Sequence, residues 1–459
     1  MACSLPKTLS KLGHDARVFL PLYASVDRER HGLRPTGAGT IEMRLLGQRV
    51  PFTALTAELP GTGAPIYFVD CPRFYDRASL YTNDPDEPLR FLYFSRAVLE
   101  ICQRLGFSPH VLHANDWQTA LAPLLMKTLY SWDRLFQKSR TVLTIHNIAY
   151  QGIAPAGIVD AIGVDRHLFD PEDLRAGRVS FLKTGIVHAD RLTTVSPTYA
   201  LEIQTAAQGY GLDPTLRSRA RDLTGILNGV DYDEWDPSKD RFIPARYSAR
   251  SLHRKKKNKE ALLERLGLPY SETVPLLGMV TRLSYQKGVE LLYDSLPAVL
   301  AREKLLVVVL GTGEAQYESF FEELAARFPD AVRFVRGFDE ELAHWIEAGA
   351  DLFLMPSRYE PCGLNQMYSL RYGTVPVVRK TGGLADSVRL FDRSTGEGTG
   401  IVFDHFDARA VAWALEAAID LFRDRELFRR LVLNGMKEDF SWERQAERYL
   451  AIYRQLLIN

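Results

Sequence analysis

The sequence predicts an α/β protein built of two doubly wound, Rossmann-like domains that face each other across a cleft. Short runs rich in Val, Ile and Leu alternate with amphipathic stretches along most of the 459 residues. Continuously apolar strands between helices are typical of a parallel sheet that helices cover on both faces. The length also fits two or three domains. Such sheets bind ligands at the carboxyl ends of their strands, so candidate site residues are expected there.

The first half of the chain contains strand-like runs separated by helix-like stretches. Five apolar side chains from Phe91 to Leu105 recur at helical spacing, which predicts a helix over residues 88–105. Apolar or β-branched runs predict strands at residues 16–20, 66–69, 111–114, 141–146, 192–195 and 223–227.

The second half repeats this alternation more regularly. Helical runs follow the strands, among them residues 288–301 and a helix that begins near Glu314. The predicted strands are residues 276–280, 305–310, 332–335, 352–355 and 375–378. This half is therefore predicted to form the second doubly wound domain.

The division of the chain follows from these two halves. The intervening segment carries Pro244, Pro269 and the basic run RKKK at 254–257, which is interpreted as a solvated helix start and not as a phosphate site. The last helical run lies outside the alternation and is expected to pack back on the N-terminal domain. The predicted boundaries are an N-terminal domain at 1–240, a connection at 241–271, a C-terminal domain at 272–438 and a final helix within 439–459.

Composition excludes several classes of function. Lys plus Arg and Asp plus Glu both number 57, and zero net charge argues against a general nucleic-acid binder. No run of about 18 apolar residues is present, so no membrane span is expected. The N-terminal residues lack the apolar core of a signal peptide. The four widely spaced cysteines do not suit a disulfide scaffold or a zinc ribbon, and a cytoplasmic location is expected.

Two loops of the second half carry the charges that a phosphorylated ligand would need. Arg282 and Lys287 follow the first strand, just before a helix, where two cations and a helix N-terminus can hold a diphosphate. Glu360 follows the strand at 352–355, and the turn at 363–365 (GLN) is expected to direct backbone N–H groups at an anion. The glutamate suits sugar hydroxyls or a developing positive charge. The alternative is that it only caps the next helix.

Polar side chains also follow two strands of the first half. His146 ends the strand at 141–146, and Asp116 lies in the loop after the strand at 111–114. A strand-end histidine is a candidate base or hydrogen-bond donor. Cys362 is interpreted as a packed residue and not as a nucleophile.

Other motifs are too weak to assign a function. The GTG at 311–313 is not followed by the third glycine of a dinucleotide fingerprint, and no P-loop is present. The DxD patterns at 84–86 and 231–233 lie in turn-rich segments, where aspartate is common for turn chemistry. We therefore expect neither a metal ion nor another cofactor.

Taken together, the motifs resemble those of bacterial-type glycogen or starch synthases, retaining glucosyltransferases of the two-Rossmann-domain (GT-B) class. The resemblance covers nearly the whole chain. It implies transfer of glucose from ADP-glucose to the non-reducing end of an α-1,4-glucan. The N-terminal domain would bind the acceptor, and the C-terminal domain would bind the nucleotide sugar. The motifs are HANDWQ at 113–118, TIHNIAYQG at 144–152, LNGVD at 227–231, TRLSYQKG at 281–288, PSRYEPCGLNQ at 356–366 and TGGLAD at 381–386.

The resemblance also implies a role for each candidate residue. Arg282 and Lys287 would hold the donor diphosphate in place of a metal ion, and Glu360 and His146 would contact the donor glucose. Phe338 stands where relatives often have a tyrosine beside the adenine, which leaves the preference for the base open. The remaining predicted substrate-binding residues are Asp116 and Asn228, at the glucose, and Gly363, Leu364 and Asn365, at the distal phosphate.

The N-terminus departs from the family pattern. Relatives begin with a strand and a Lys-x-Gly-Gly-Leu loop ahead of the helix that starts here near Met1. The N-terminal domain is therefore expected to lack its first strand. The donor site is expected to lack the lysine-containing loop that follows this strand in relatives. A start codon further upstream, an inactive copy and a working variant all remain open. The alternatives to an active ADP-glucose enzyme are a silent glucan- or nucleotide-binding paralogue and a GT-B transferase that uses UDP-glucose.

Overall fold

The computed structural model describes residue 1 and residues 3–77, 79–80, 82 and 84–458. The chain divides into two compact units, each assembled from separate segments. Unit 1 comprises residues 1–195, 200–226 and 442–459, and unit 2 comprises residues 196–199 and 227–441.

Residues 1–226 alternate between strands and mostly short helices. The longest helix begins at Glu87 and ends at Leu105, because Gly106 adopts the left-handed conformation that closes a helix. The strands are β1 (Val18–Pro21), β2 (Arg34–Leu45), β3 (Gln48–Glu58), β4 (Pro65–Asp70), β5 (Val111–Asn115), β6 (Arg140–Ile145), β7 (Ile153–Pro155), β8 (Arg178–Ser180), β9 (Arg191–Thr194) and β10 (Leu223–Gly225). The helices are α1 (Ser4–Lys11), α2 (Pro72–Tyr75), α3 (Glu87–Leu105), α4 (Asp116–Thr119), α5 (Ala122–Lys127), α6 (Ile158–Ile162), α7 (Pro171–Arg175), α8 (Phe181–His188), α9 (Pro197–Glu202) and α10 (Asp213–Ser218).

Residues 227–458 alternate more regularly between strand and helix. Short 3-10 turns at Tyr285–Lys287 and Val289–Leu291 precede the first helix after β11. The strands are β11 (Leu276–Leu283), β12 (Leu306–Gly313), β13 (Val332–Arg336), β14 (Leu352–Met355), β15 (Val375–Arg379) and β16 (Ile401–Phe403). The helices are α11 (Lys255–Arg265), α12 (Leu292–Arg302), α13 (Ala315–Arg327), α14 (Glu340–Gly349), α15 (Asn365–Tyr372), α16 (Gly382–Ser387), α17 (Ala408–Arg423), α18 (Arg425–Met436) and α19 (Trp442–Ile458).

Unit 2 is a doubly wound domain, as predicted. Its six parallel strands lie in the order β13-β12-β11-β14-β15-β16. Alternate residues of each strand point to opposite faces. Leu277, Val307 and Leu354 join a core with α12, α13 and α17, while Leu276, Val308 and Phe353 join a second core with α11 and α14. The strand order reverses between β11 and β14, the point where such sheets bind ligands.

Unit 1 contains a parallel sheet and a separate mixed sheet. The parallel sheet has the order β10-β9-β6-β5, and the mixed sheet has the order β1-β4-β3-β2. Only β1 and β4 run parallel in the mixed sheet, because β2 and β3 form a long antiparallel hairpin. The prediction of parallel strands missed this hairpin. β1 is an edge strand of the mixed sheet, and β5 is an edge strand of the parallel sheet.

The C-terminal helix α19 belongs to unit 1 and covers its parallel sheet. Trp442, Ala446 and Tyr449 form one buried cluster with Val142 of β6 and Leu5 of α1. The burial of these apolar side chains joins the two ends of the chain in one core.

The segment at 241–271 belongs to unit 2 and does not stand apart from it. A helix does begin at Lys255, as the basic run predicts, but this lysine points inward. Its Nζ donates to Ala348 O at 2.9 Å and to Thr374 Oγ1 at 2.7 Å, and burial lowers its pKa to about 7. Only the remainder of the run is exposed.

Candidate active site

In unit 2, Lys287 and Glu360 meet where the strand order reverses. Lys287 Nζ lies 2.6 Å from Glu360 Oε2, and Ser357 Oγ donates to the same oxygen at 2.9 Å. Lys287 comes from the loop after β11, and Ser357 and Glu360 come from the loop after β14. Glu360 is only 5% exposed, so the ion pair compensates a buried carboxylate.

Arg282 lies within strand β11 and not, as predicted, in the loop that follows it. The expected strand ends at residue 280, whereas β11 continues to Leu283 because Thr281, Arg282 and Leu283 pair with residues 311–313 of β12. Two glycines allow this close pairing, since a Cβ would lie 2.2 Å from Thr281 O at Gly311 and 1.9 Å from Leu283 O at Gly313. Arg282 thus lies at the carboxyl end of β11, with an exposed side chain.

The loop after β14 is held by its neighbours on both sides. Arg358 N donates to Gln286 O at 2.9 Å, and the Arg358 guanidinium lies 4.1 Å from each of the ring centroids of Tyr285 and Phe406. Gly383 N donates to Glu360 O at 3.0 Å. This approach requires a glycine, because a Cβ at residue 383 would lie 1.9 Å from Cys362 O.

The turn at 363–365 leads into α15. Gly363 has φ +70°, Leu364 is partly exposed, and Asn365 is the first residue of the helix and is held by its Nδ2, which donates to Val280 O at 2.7 Å. The first N–H groups of a helix have no partner within it and carry a partial positive charge. This end of α15 can therefore receive an anion.

Asn228 lies against the same loop. Its N–H donates to Cys362 Sγ at 3.4 Å, and its Oδ1 is buried without a hydrogen-bond partner. An unsatisfied buried oxygen is a candidate acceptor for a ligand hydroxyl. Burial raises the pKa of Cys362 to about 12, in agreement with a packed residue that is not a nucleophile.

Phe338 lies apart from these contacts, after the edge strand β13. Its side chain is 88% exposed. An aromatic ring so exposed is free to stack on a planar group.

In unit 1, Asp116 and His146 meet at the carboxyl ends of β5 and β6. Asp116 Oδ1 accepts the backbone N–H of His146 at 2.7 Å. Asp116 itself has φ +52°, an uncommon conformation for a residue other than glycine and one that is often found at functional sites. Burial raises the pKa of Asp116 to about 6, and the backbone N–H groups partly oppose this shift.

His146 is held as a neutral ring. Its Nε2 lies 2.9 Å from Asn115 Oδ1, and because an amide oxygen only accepts, Nε2 carries the proton and Nδ1 keeps its lone pair. Burial lowers the pKa of His146 to about 4. Asn115 was not among the predicted site residues, although it lies inside the motif at 113–118.

The motifs HANDWQ and TIHNIAYQG of unit 1 also pack on each other. Gly152 has φ +61°, and a Cβ there would lie 2.3 Å from the Trp117 ring. The His113 ring connects β5 to β6 and to α19, since its Nδ1 lies 2.6 Å from Tyr453 Oη and its Nε2 lies 2.6 Å from Thr144 Oγ1.

The DxD patterns show turn and surface chemistry. Asp84 and Asp86 both pair with Arg77. Asp231 Oδ1 accepts the N–H of Asp233 at 3.0 Å, as an aspartate does in a turn.

Two family models match this chain, one in each half. Residues 1–218 match the family model of the starch synthase catalytic domain, and residues 264–437 match that of the group 1 glycosyl transferases. A glycogen synthase of Anaeromyxobacter sp. (strain Fw109-5) is 47% identical over 99% of this chain and 95% of its own length. A glycogen synthase of Geobacillus thermodenitrificans is 42% identical over 100% of this chain and 94% of its own.

A solved structure gives the same result. The catalytic domain of starch synthase IV from Arabidopsis thaliana, bound to ADP and acarbose, superposes with a TM-score of 0.92 and 36% identity, over 99% of this chain and 95% of that one. These matches confirm the GT-B-like α/β fold. The chain belongs to the glycogen synthase family and is a glycosyltransferase of the glycogen and starch synthase type.

Proposed function

We propose that this protein transfers glucose from ADP-glucose to the non-reducing end of an α-1,4-glucan, with retention of configuration. The observation that carries the proposal is the Lys287–Glu360 pair at the switch point of unit 2, beside the N-terminus of α15. The starch synthase IV structure that superposes on this chain is bound to ADP and acarbose, which supports an adenine nucleotide as the donor.

The residues of unit 2 suit a sugar diphosphate. Arg282 and Lys287 supply two positive charges, and the turn at Gly363, Leu364 and Asn365 supplies helix N–H groups for the distal phosphate. We assign Glu360 and Asn228 Oδ1 as acceptors for glucose hydroxyls, and the exposed ring of Phe338 to the base. Phe338 lacks the hydroxyl group of a tyrosine, so its ring alone does not specify which base is bound. The preference for the base of the donor is therefore measured by assay.

The residues of unit 1 suit neutral hydroxyl groups. His146 Nδ1 is an acceptor, and Asp116 is a hydrogen-bonding carboxyl group whose pKa lies near 6. We assign both residues to the donor glucose. A neutral imidazole orients a hydroxyl without adding positive charge next to a developing oxocarbenium ion.

The reaction then needs no nucleophilic side chain. The C1–O bond to the diphosphate breaks, and its electron pair goes to the phosphate oxygen. The acceptor 4-hydroxyl attacks C1 from the same face, and its proton passes to the departing phosphate. Arg282, Lys287 and the helix N-terminus stabilise that phosphate, a role that a divalent cation has in other enzymes. We assign no metal ion to this step, and activity is expected to persist in EDTA.

Transfer of labelled glucose to glycogen tests the proposal. The full chain is assayed with ADP-, UDP- and GDP-glucose, and ADP-glucose is expected to be the preferred donor. Arg282→Ala and Lys287→Ala are each expected to lower kcat by about 10²-fold, the effect of losing one donor to a developing anion. Lys257→Ala, which removes an exposed charge from α11, serves as the control.

Other outcomes assign a different function. Preference for UDP-glucose would replace the proposed donor. Stabilisation by ADP without any transfer would indicate a silent nucleotide-binding paralogue. If Arg282→Ala and Lys257→Ala behave alike, Arg282 has no part in the site.

We place the protein in the cytoplasm, in keeping with its four free cysteines.

A further inference from the structure

A second group of polar side chains in unit 2 has no role in the transfer just described. Glu234, Glu340 and His344 each present one metal-binding atom, and these three atoms all lie within 4.8 Å of one another. Glu340 and His344 are four residues apart on α14 and so share one face of the helix. Glu234 comes from the segment that follows the LNGVD motif.

His344 is the unusual member of this group, because its side chain is fully buried and only one of its nitrogens is satisfied. Nδ1 lies 2.8 Å from Asp240 Oδ2, and a carboxylate only accepts, so Nδ1 carries the proton. Nε2 is buried without a hydrogen-bond partner. A buried polar atom without a partner costs free energy, and a bound ion or water is a usual way to satisfy it.

The surroundings fix the ring in one orientation. Asp240 Oδ2 also accepts from Tyr372 Oη at 2.6 Å. Trp235 stacks on His344 with 3.8 Å between ring centroids, and Tyr368 stacks on Trp235 at 4.0 Å. A histidine whose second nitrogen donates to a carboxylate is the usual arrangement of a metal-bound imidazole.

We propose that Glu234, Glu340 and His344 bind one divalent transition-metal ion, of which Zn²⁺ is the best fit. One imidazole and two carboxylates form a mixed nitrogen and oxygen set that suits Zn²⁺, whereas Mg²⁺ and Ca²⁺ prefer oxygen alone. Donors of a tetrahedral site lie about 3.3 Å apart when the bonds are about 2.0 Å. The three candidate donor atoms lie within 4.8 Å of one another, and rotation of the exposed side chains of Glu234 and Glu340 can bring them to this shorter spacing. Water would complete the coordination.

The ion would connect two parts of unit 2 that are distant in sequence. It would join the segment after LNGVD to the N-terminal half of α14, about a hundred residues later. A role in stability follows from this position, because an ion that binds only the folded state stabilises it. None of the three residues is among those assigned to glucosyl transfer.

Zn²⁺ titration of the EDTA-treated and dialysed full chain tests the site by calorimetry and by thermal unfolding. Wild type is expected to bind one Zn²⁺ with a Kd of micromolar or below and to gain about 5 °C in Tm at saturation. Glu234→Gln and Glu340→Gln are each expected to weaken binding by 10-fold or more. Co²⁺ bound in the same site should give the visible absorption of a tetrahedral ion.

Glu341→Gln is the matched control, since Glu341 is the exposed neighbour of Glu340 and pairs with Arg265 at 3.5 Å. This variant should bind Zn²⁺ as tightly as wild type. The proposal is overturned if wild type binds no Zn²⁺, or if the two variants weaken binding no more than Glu341→Gln does. Because both substitutions are at exposed positions, a folding failure would not obscure the result.

Discussion

At the scale of single residues, the Lys287–Glu360 pair shows how the burial of a carboxyl group is compensated. Glu360 is nearly inaccessible, and its Oε2 receives both the Lys287 ammonium and the Ser357 hydroxyl. A charge moved from water to the interior costs several kcal/mol unless a partner and hydrogen bonds compensate it. The same contact places a cation and an anion within one candidate sugar-diphosphate site.

The pair predicts a non-additive effect on stability. Lys287→Met leaves the Glu360 carboxylate buried without its counter-ion and is expected to destabilise the protein by about 3 kcal/mol. Glu360→Gln added to this variant removes the uncompensated charge and should restore most of the loss. Thermal unfolding of the wild type, both single variants and the double variant measures this coupling. Additive losses would show that the two side chains do not depend on each other.

His113 predicts a dependence of stability on pH. Burial lowers its pKa from 6.5 to about 3, so the unfolded chain binds a proton that the folded chain rejects between these values. This contribution to stability is complete above pH 6.5 and falls as the pH decreases, by about 2 kcal/mol at pH 5. His113→Gln should therefore lose less Tm than wild type between pH 7 and pH 5.

The comparison is made within each variant, so an overall loss of stability in His113→Gln does not affect it. His31→Gln, at an exposed position, serves as the control. An equal loss of Tm in wild type and His113→Gln would contradict the assignment.

At the scale of elements, the β2–β3 hairpin shows what the sequence pattern did not reveal. Leu45 pairs with Gln48, so the turn consists of Leu46 and Gly47 alone. Both residues have positive φ, +49° and +75°, as a type I′ turn requires. Leucine is rare in this conformation, and the usual Asn-Gly signal is missing from the sequence.

Leu46→Asn should therefore stabilise the hairpin. Asparagine tolerates the left-handed conformation better than leucine, and the Leu46 side chain is 58% exposed and loses little packing. The expected gain is about 0.5–1 kcal/mol, measured by thermal or urea unfolding. Gly47→Ala tests the same turn in the opposite direction, since it places a Cβ at φ +75° and should destabilise the protein. A loss of stability in Leu46→Asn would contradict this account.

At the scale of the whole molecule, each unit is assembled from segments that are separate in sequence. Unit 1 takes its last helix from residues 442–459, and unit 2 takes residues 196–199 from within the first half. Asp386 secures this short segment, since it accepts from Ser196 Oγ at 2.6 Å and from Thr198 Oγ1 at 2.6 Å. The predicted boundaries included a final helix that packs back on the N-terminal domain, but they did not include the short segment 196–199.

The exchange predicts that a substitution in the last helix destabilises the first half of the chain. Trp442 is 4% exposed and packs in the cluster with Val142 and Leu5, so Trp442→Ala should cost about 3–5 kcal/mol. Hydrogen exchange is expected to accelerate in β6 and β10 of unit 1 but not in β11 and β12 of unit 2. Glu443→Ala, at an exposed position of the same helix, is the control. Equal acceleration in both units would contradict the assignment of α19 to unit 1.

The sequence alone determined the family, the alternation of strands and helices and the residues at the strand ends. All eleven predicted strands form, because apolar periodicity is a local property that follows the geometry of the backbone. The same reasoning placed Asp116, His146, Lys287 and Glu360 near the carboxyl ends of parallel strands.

Only the tertiary structure decided which of these side chains meet. Lys287 and Glu360 are 73 residues apart, and His146 and Asn115 are 31 residues apart, so no spacing rule connects them. The burial that moves the pKa values of Asp116 and His146 likewise comes from neighbours that are remote in sequence. Local pattern specifies elements, whereas contact, burial and electrostatics depend on how those elements pack.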